Sequence, residues 1–203
     1  VLRFIEPYWR HSGREVRRAA IEAILAAGEQ ARGLELSICR LAAHEEPRIL
    51  CQALTAVATL RASWAEPIAI AALQRPEMAV KKEAALALAQ VGSARSIPAL
   101  LGWLAHHDNR GLREALLAAL QRAAGPSLVA VLVRALADEG EARRIELLWE
   151  ALSGQLPLAA ALRLARSSQP AHRSLIAACL AGRVALADGD AAKLAAQLHR
   201  ARL

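Results

Sequence analysis

Aromatic side chains are scarce: Phe4, Tyr8, Trp9, Trp64, Trp103 and Trp149 are the full set, 3% of 203 residues. A β-rich domain draws on many more aromatic and β-branched residues, so a sheet-built core is excluded. No run of 18 or more uncharged apolar residues occurs, and no membrane span is expected. The 11 glycines are scattered singly, which leaves no glycine-rich loop to cradle a phosphate. Cysteine is limited to Cys39, Cys51 and Cys179, an odd number without the C-x-x-C spacing of a zinc or redox site. These thiols read as small buried hydrophobes in a reduced, cytoplasmic setting. The chain opens on Val1 and shows no basic-then-apolar leader, and it is expected to be a piece of a longer protein.

What is abundant is just as informative. The chain holds 49 alanines and 34 leucines, and 55% of it is hydrophobic. The best helix formers therefore dominate, and enough apolar surface is present to bury a core rather than stay disordered. An all-α protein is expected.

Charge bears on the choice of partner. Lysine and arginine number 26 against 19 acids, a net charge of +7. The excess is uneven: residues 51–100 carry 5 bases and 3 acids, 101–159 carry 6 and 7, and 160–203 carry 7 and 2. A surface that tracks a nucleic-acid backbone should be basic along its length, and this one is basic only at its C-terminal end.

A repeat organises the rest. The segments VRRAAIEAILAAG (16–28), VKKEAALALAQVG (80–92) and LREALLAALQRAAG (112–125) share one pattern. Its opening position recurs as Val16, Ile49, Val80 and Leu112, at intervals of 33, 31 and 32 residues. Four residues on stand Ala20, Ala53, Ala84 and Leu116. Three further on stand Ala23, Ala56, Ala87 and Ala119, each followed by Ile24, Val57, Leu88 or Leu120. A fifth copy runs through Arg144, Ile145, Leu148, Ala151 and Leu152, and a sixth, degenerate one through Ile176 and Leu180. Offsets of 0, 4, 7 and 8 mark one face of a helix. Upstream of each copy lies a second amphipathic run, at 34–42, 67–75, 97–105 and 128–137. Glycines and prolines punctuate the pairs: Gly92 with Pro98, Gly125 with Pro126, Gly154 with Pro157. Small residues in register let helix axes approach closely, so that each pair completes the core of the one before.

These residues resemble HEAT repeats of the short bacterial type first noted in phycobilisome lyases. The carriers are the period of about 32, the V-[RK]-x-x-A-x-x-A-[LI] opening of the second helix, and turns such as His107-Asp108-Asn109-Arg110. The resemblance implies a right-handed α-solenoid of about six helix pairs spanning 1–203 as one domain. Its regular repeats would cover about 1–170 and a degenerate cap about 171–203, ending in a helix near 190–202. Proteins of this kind serve as scaffolds, adaptors, lyase subunits and, in one branch, DNA glycosylases, so the likeness speaks to fold far more than to function.

Several side-chain sets were candidates for chemistry. Arg17, Arg48, Lys81, Arg113 and Arg143 stand at or beside the opening positions, with Glu15, Glu46, Glu77, Asp108 and Glu141 in the turns. The resemblance implies a structural ladder of pairs rather than a binding stripe, each exposed pair contributing little. His11, His44, Arg75, His107 and Glu139 form a second row. Equivalent turns lie about 10 Å apart, too far to share a metal held at about 2 Å, and no metal or cofactor is expected. No nucleophile, base and orienting group are grouped by any motif. Trp149 and Glu150 beside Arg143 and Arg144 are the one aromatic–acid grouping a glycosylase could use. Trp149 aligns with Ala85 and Leu117 and reads as core.

The expectation is therefore a non-catalytic scaffold that binds a protein or peptide on a concave wall of second helices. Positions two and six after each opening residue would line it: Arg18, Lys82, Glu114 and Glu146 in one row, then Glu22, Thr55, Leu86, Ala118 and Glu150. Mixed charge around apolar residues suits a protein segment better than a uniformly charged polymer. The alternative is a nucleic-acid-binding array, glycosylase-like or a simple binder, using Arg163, Arg166, Arg173, Arg183, Lys193 and Arg200. Titrating a labelled DNA duplex against salt separates the two. The scaffold reading predicts weak binding and a log–log slope near zero, where each phosphate contact would add about 0.9 to its magnitude.

Overall fold

The computed structural model describes residues 46–202 without a break. Before them it describes Pro7, Tyr8, His11, Gly13, Glu15, Val16, Ala19, Ala20, Ala23, Ile38, Cys39 and Ala43. Contacts within the chain define two compact units. One comprises Val1–Leu100 with Arg110–Ala123, the other Leu101–Asn109 with Ala124–Leu203. Both are helical, and among the described residues there is no strand, only an isolated parallel bridge between Leu156 and Leu186.

The first unit contains α1 (Pro47–Leu60), α2 (Glu66–Ala72), α3 (Met78–Val91), the opening of α4 (Ile97–His106) and nearly all of α5 (Arg110–Ala124). α3 packs on both α1 and α2, so a second helix rests on its own first helix and on the second helix before it. The repeat register explains the packing. Ile49, Val80 and Leu112 are buried, as are Ala53, Ala84 and Leu116, Ala56, Ala87 and Ala119, and Val57, Leu88 and Leu120. In the earliest copy Ala20 is buried but Ala23, which shares the register, is exposed.

The second unit holds the rest of α4, then α6 (Leu128–Asp138), α7 (Ala142–Leu152), α8 (Leu158–Ala165), α9 (Pro170–Leu180) and α10 (Ala191–Arg200). α6 packs on α7 and α9; α8 packs on α9 and α10, which also touch each other. Leu148, Ala151, Leu152 and Ile176 occupy the expected buried register, whereas Leu180 is exposed, as a degenerate copy would allow. A strap of polar contacts ties the α7–α8 loop to the segment before α10. Gly154 N–H donates to Ala185 O at 2.8 Å and Ala187 N–H to Leu156 O at 2.9 Å. Asp188 Oδ1 accepts from Leu158 N–H at 2.6 Å, and Asp190 caps α10 by accepting from Lys193 N–H at 2.7 Å.

The punctuation works in more than one way. Gly125 at φ 53° and Gly154 at φ 77° take the left-handed conformation that ends a helix cheaply only in glycine. Gly92 does not, with φ −62°; a Cβ there would stand 2.5 Å from Leu88 O, so the close approach demands glycine. α1 closes on left-handed Arg61 instead, where no glycine is available. By length and composition Arg110–Asp138 could cross a membrane, but its two helices are interrupted by the 3₁₀ turn Gly125–Ser127.

Ala84 is fully buried on α3 and Ala118 is exposed on α5. Replacing Ala84 with Leu overpacks the helix contact and lowers stability to urea by about 1–3 kcal/mol. The same change at Ala118 stays within about 0.5 kcal/mol.

Candidate functional site

The rows expected to line a binding surface can be placed residue by residue. Thr55, Lys82, Leu86, Glu114 and Ala118, in the first unit, are all exposed on second helices, as are Glu146 and Glu150 in the second unit. Arg18 and Glu22 lie outside the described residues. Helical geometry accounts for the exposure, because positions two and six point away from the buried 0, 4, 7 and 8 stripe. Leu86 is 40% exposed, an uncovered leucine directly one turn beyond Lys82. Beside it, Thr55 Oγ1 reaches Cys51 O at 2.9 Å and Glu83 Oε2 at 3.4 Å, linking α1 to α3. Thr59, also exposed, donates to Thr55 O at 2.8 Å and extends this polar strip.

The ladder of bases and turn acids is present in parts. Arg143 reaches Asp108 Oδ2 at 3.5 Å and Glu146 Oε2 at 3.4 Å, within the second unit. Arg75 pairs with Glu77 at 3.4 Å. Lys81 and Arg113 are buried rather than exposed. The Lys81 ammonium donates to the carbonyl of Arg75, satisfying the end of the α2 turn. A second polar tie was not anticipated: buried Glu66 accepts from Ser93 N–H at 2.7 Å and from Ser93 Oγ at 2.9 and 2.8 Å. A serine closing the linker ahead of one pair, and an acid opening the pair before it, is the signal that could have found it.

Among the described residues no reactive constellation emerges from the remaining groups. His11 and His107 stand apart, His107 stacked on Trp103 at 5.2 Å and His11 accepting from Gly13 N–H at 3.0 Å; His44 lies outside the described residues. His106 bonds through Nδ1 to Gly102 O and through Nε2 to the Arg144 guanidinium. Among the described residues no group of three metal-ligating side chains converges. Burial pushes the Cys51 thiol up, helped by the Glu83 and Glu77 carboxylates, and burial does the same at Cys179, so neither is a ready thiolate. Trp149 is half-buried rather than a core residue. The Arg183 guanidinium lies 5.1 Å from its ring centroid, and its indole N–H has no acceptor.

The structure also shows grooves that periodicity did not anticipate. In the second unit a groove of about 680 Å³ runs along α6 and α8, walled by residues such as Val129, Val133, Ala160 and Leu164, with Arg134, Asp138 and Arg163 at its rim. A smaller one of about 320 Å³ in the first unit involves Ala43, Leu50, Ile68, Ala72 and Arg75. The larger is walled mainly by first helices, the smaller also by Leu50 of the second helix α1, and none of the expected row residues lines either. The sequence did carry a sign of the larger groove: α6 has a second apolar row, Val129, Val133 and Ala137, beside the buried Leu128, Leu132 and Leu136.

Paired helices repeating through an alanine register, with exposed second-helix rows and, among the described residues, no catalytic grouping, define a helical-repeat fold. Residues 34–121, a little under half of the chain, match the family model of HEAT repeats. The fold is shared with two solved structures at low identity. The complex of CpcE and CpcF of phycocyanin lyase from Nostoc sp. PCC7120 is 15% identical, covers 98% of this chain and 94% of that one, and superposes with a TM-score of 0.51. An engineered protein is 17% identical over 86% of this chain and 94% of its own, also with a TM-score of 0.51. No curated protein sequence matches the chain.

One carboxylate in the second unit is set to report on pH. Desolvation works to raise the Glu139 carboxyl, but N–H donors of Glu141 at 3.2 Å and Gly140 at 3.0 Å, with Arg144 at 3.4 Å, outweigh it and hold it below its ordinary value. A lowered folded-state pKa means stability that is complete above the unfolded value, about 4.3, and lost as pH falls through the folded one. Glu139→Gln therefore destabilises at pH 7, and its deficit against the wild type shrinks in urea titrations carried to pH 3.

Proposed function

We propose that this chain is a non-catalytic scaffold that binds a partner protein or peptide on the exposed rows of its second helices. The observation that carries the reading is Leu86: a leucine left in water on a helix whose other leucine, Leu88, is fully buried. It is flanked by Lys82 on its own helix, and Thr55, Glu114 and Ala118 are the exposed residues at the same register in the first unit. An apolar anchor among residues of both signs is the composition of a protein-binding patch. Glu146 and Glu150 continue the register in the second unit and give it acidic character there. The HEAT-repeat match supports the reading, since such repeats commonly present surfaces to other proteins. The reading carries a cytoplasmic location with it, where the three unpaired cysteines would stay reduced.

The competing reading assigns binding to the exposed arginines of the second unit. Two of these already have local roles: Arg173 donates to Ser168 O at 2.5 Å, and Arg183 covers Trp149. The test is affinity capture with the immobilised chain from lysate of its source, comparing the wild type with Leu86→Glu. Burying Leu86 in an interface is worth about 1–2 kcal/mol, so the variant retains about a tenth or less of the captured protein while its melting temperature stays unchanged. Equal capture by both forms, or an eluate of nucleic acid alone that salt removes, overturns the proposal.

A further inference from the structure

The second unit carries an apolar groove distinct from the second-helix rows. Between Leu128 and Asp138, only Arg134 and Asp138 itself break the apolar character of α6. A helix that is apolar on all sides needs cover on all sides. Leu128, Leu132 and Leu136 are buried, and α6 has α7 and α9 as packing partners. Its other apolar row, Val129, Val133 and Ala137, is only half-buried and forms one wall of the 680 Å³ groove. The facing wall comes from α8, just eight residues long and entered through Pro157, which contributes Ala160 and Leu164. Two short-chained apolar helix walls with a gap between them form a seat for the side chains of a third helix.

Charge selects the occupant. Arg134 on one wall and Arg163 on the other are both exposed, and neither is paired with a described residue. Asp138 is the one carboxylate among the described lining residues. Besides Arg163, the segment 160–203 carries 6 more bases against 2 acids. A second copy of this chain would bring arginines to arginines, and a nucleic acid would gain nothing from the valine and leucine walls. We propose that this groove binds an amphipathic helix of a partner protein, its apolar face seated between α6 and α8 and its flanking carboxylates paired with Arg134 and Arg163.

The test uses the full chain and a fluorescein-labelled peptide of about 15 residues, roughly four helical turns, with leucines on one face and glutamates flanking them. A matched peptide carries lysines in place of the glutamates. In fluorescence polarisation the glutamate peptide binds the wild type at least tenfold more tightly than the lysine peptide. Ala130→Trp, a plug placed at an exposed lining position, and the double charge reversal Arg134→Glu/Arg163→Glu each weaken it tenfold or more. The double variant inverts the preference toward lysine. Circular dichroism melts matching the wild type establish that these surface variants are folded. The proposal is overturned by failure of the glutamate peptide to bind at millimolar concentration, by equal binding of the two peptides, or by unchanged affinity in both variants. It is also overturned by a self-associated dimer that Ala130→Trp dissolves, or by displacement of the peptide by a DNA duplex with a steep salt dependence. Leu86→Glu leaves peptide binding intact if the groove is the site. Loss of peptide binding in Leu86→Glu alone moves the site to the second-helix rows and leaves the scaffold reading standing without the groove.

Discussion

Close approach of helices through alanine is the constraint on which both units depend. Ala53, Ala56, Ala84, Ala87 and Ala119 in the first unit, and Ala151 in the second, are buried at matching positions of second helices. A methyl group loses no rotamer freedom on burial and leaves room for a neighbouring backbone, so dispersion contacts form at a small entropic cost. The leucine and valine rows that follow, Val57, Leu88 and Leu120 among them, then fill the space between the helices of a pair. Such a core is thin. Among the described residues it holds no large aromatic cluster, and a larger side chain at these buried alanines overpacks it.

A thin core leaves the register of neighbouring elements to polar ties. Glu66 takes three hydrogen-bond contacts from Ser93, Lys81 caps the turn after α2 through the Arg75 carbonyl, and Asp188 holds the first amide of α8. The Glu66 and Arg75 acceptors lie in buried or partly buried contacts, where leaving a partner out costs about 1–3 kcal/mol, whereas the Asp188 contact is exposed. The exposed pairs of Arg143 are of another kind, screened by water and worth little individually. Orientation is thus set by a few shielded contacts while the exterior charges remain available for recognition.

The same economy shapes function. Helices that bury one narrow alanine–leucine stripe leave two other kinds of surface. One is the mixed row at positions two and six, where Leu86 is uncovered. The other is the flank of α6, apolar beyond what its neighbours cover. Neither brings together a nucleophile, base or metal-ligand set, and the two thiols with displaced acidities are held protonated.

Much of this was legible in the residues alone, because a helix buries what its 3.6-residue period places on one side. The period near 32, the buried register from Ile49 to Leu152, the terminal helix and the exposure of Thr55, Lys82, Leu86, Glu114 and Ala118 all follow from counting offsets along the chain. Counting could not say which neighbour covers each remaining side. That α9 packs on α6, that Lys81 is buried with its ammonium on the Arg75 carbonyl, and that Trp149 sits half-buried beneath Arg183 depend on how helices far apart in sequence come together. Local periodicity determines the face a residue occupies; only long-range packing decides whether that face finds a partner, and among the described residues the groove along α6 is a face left without one.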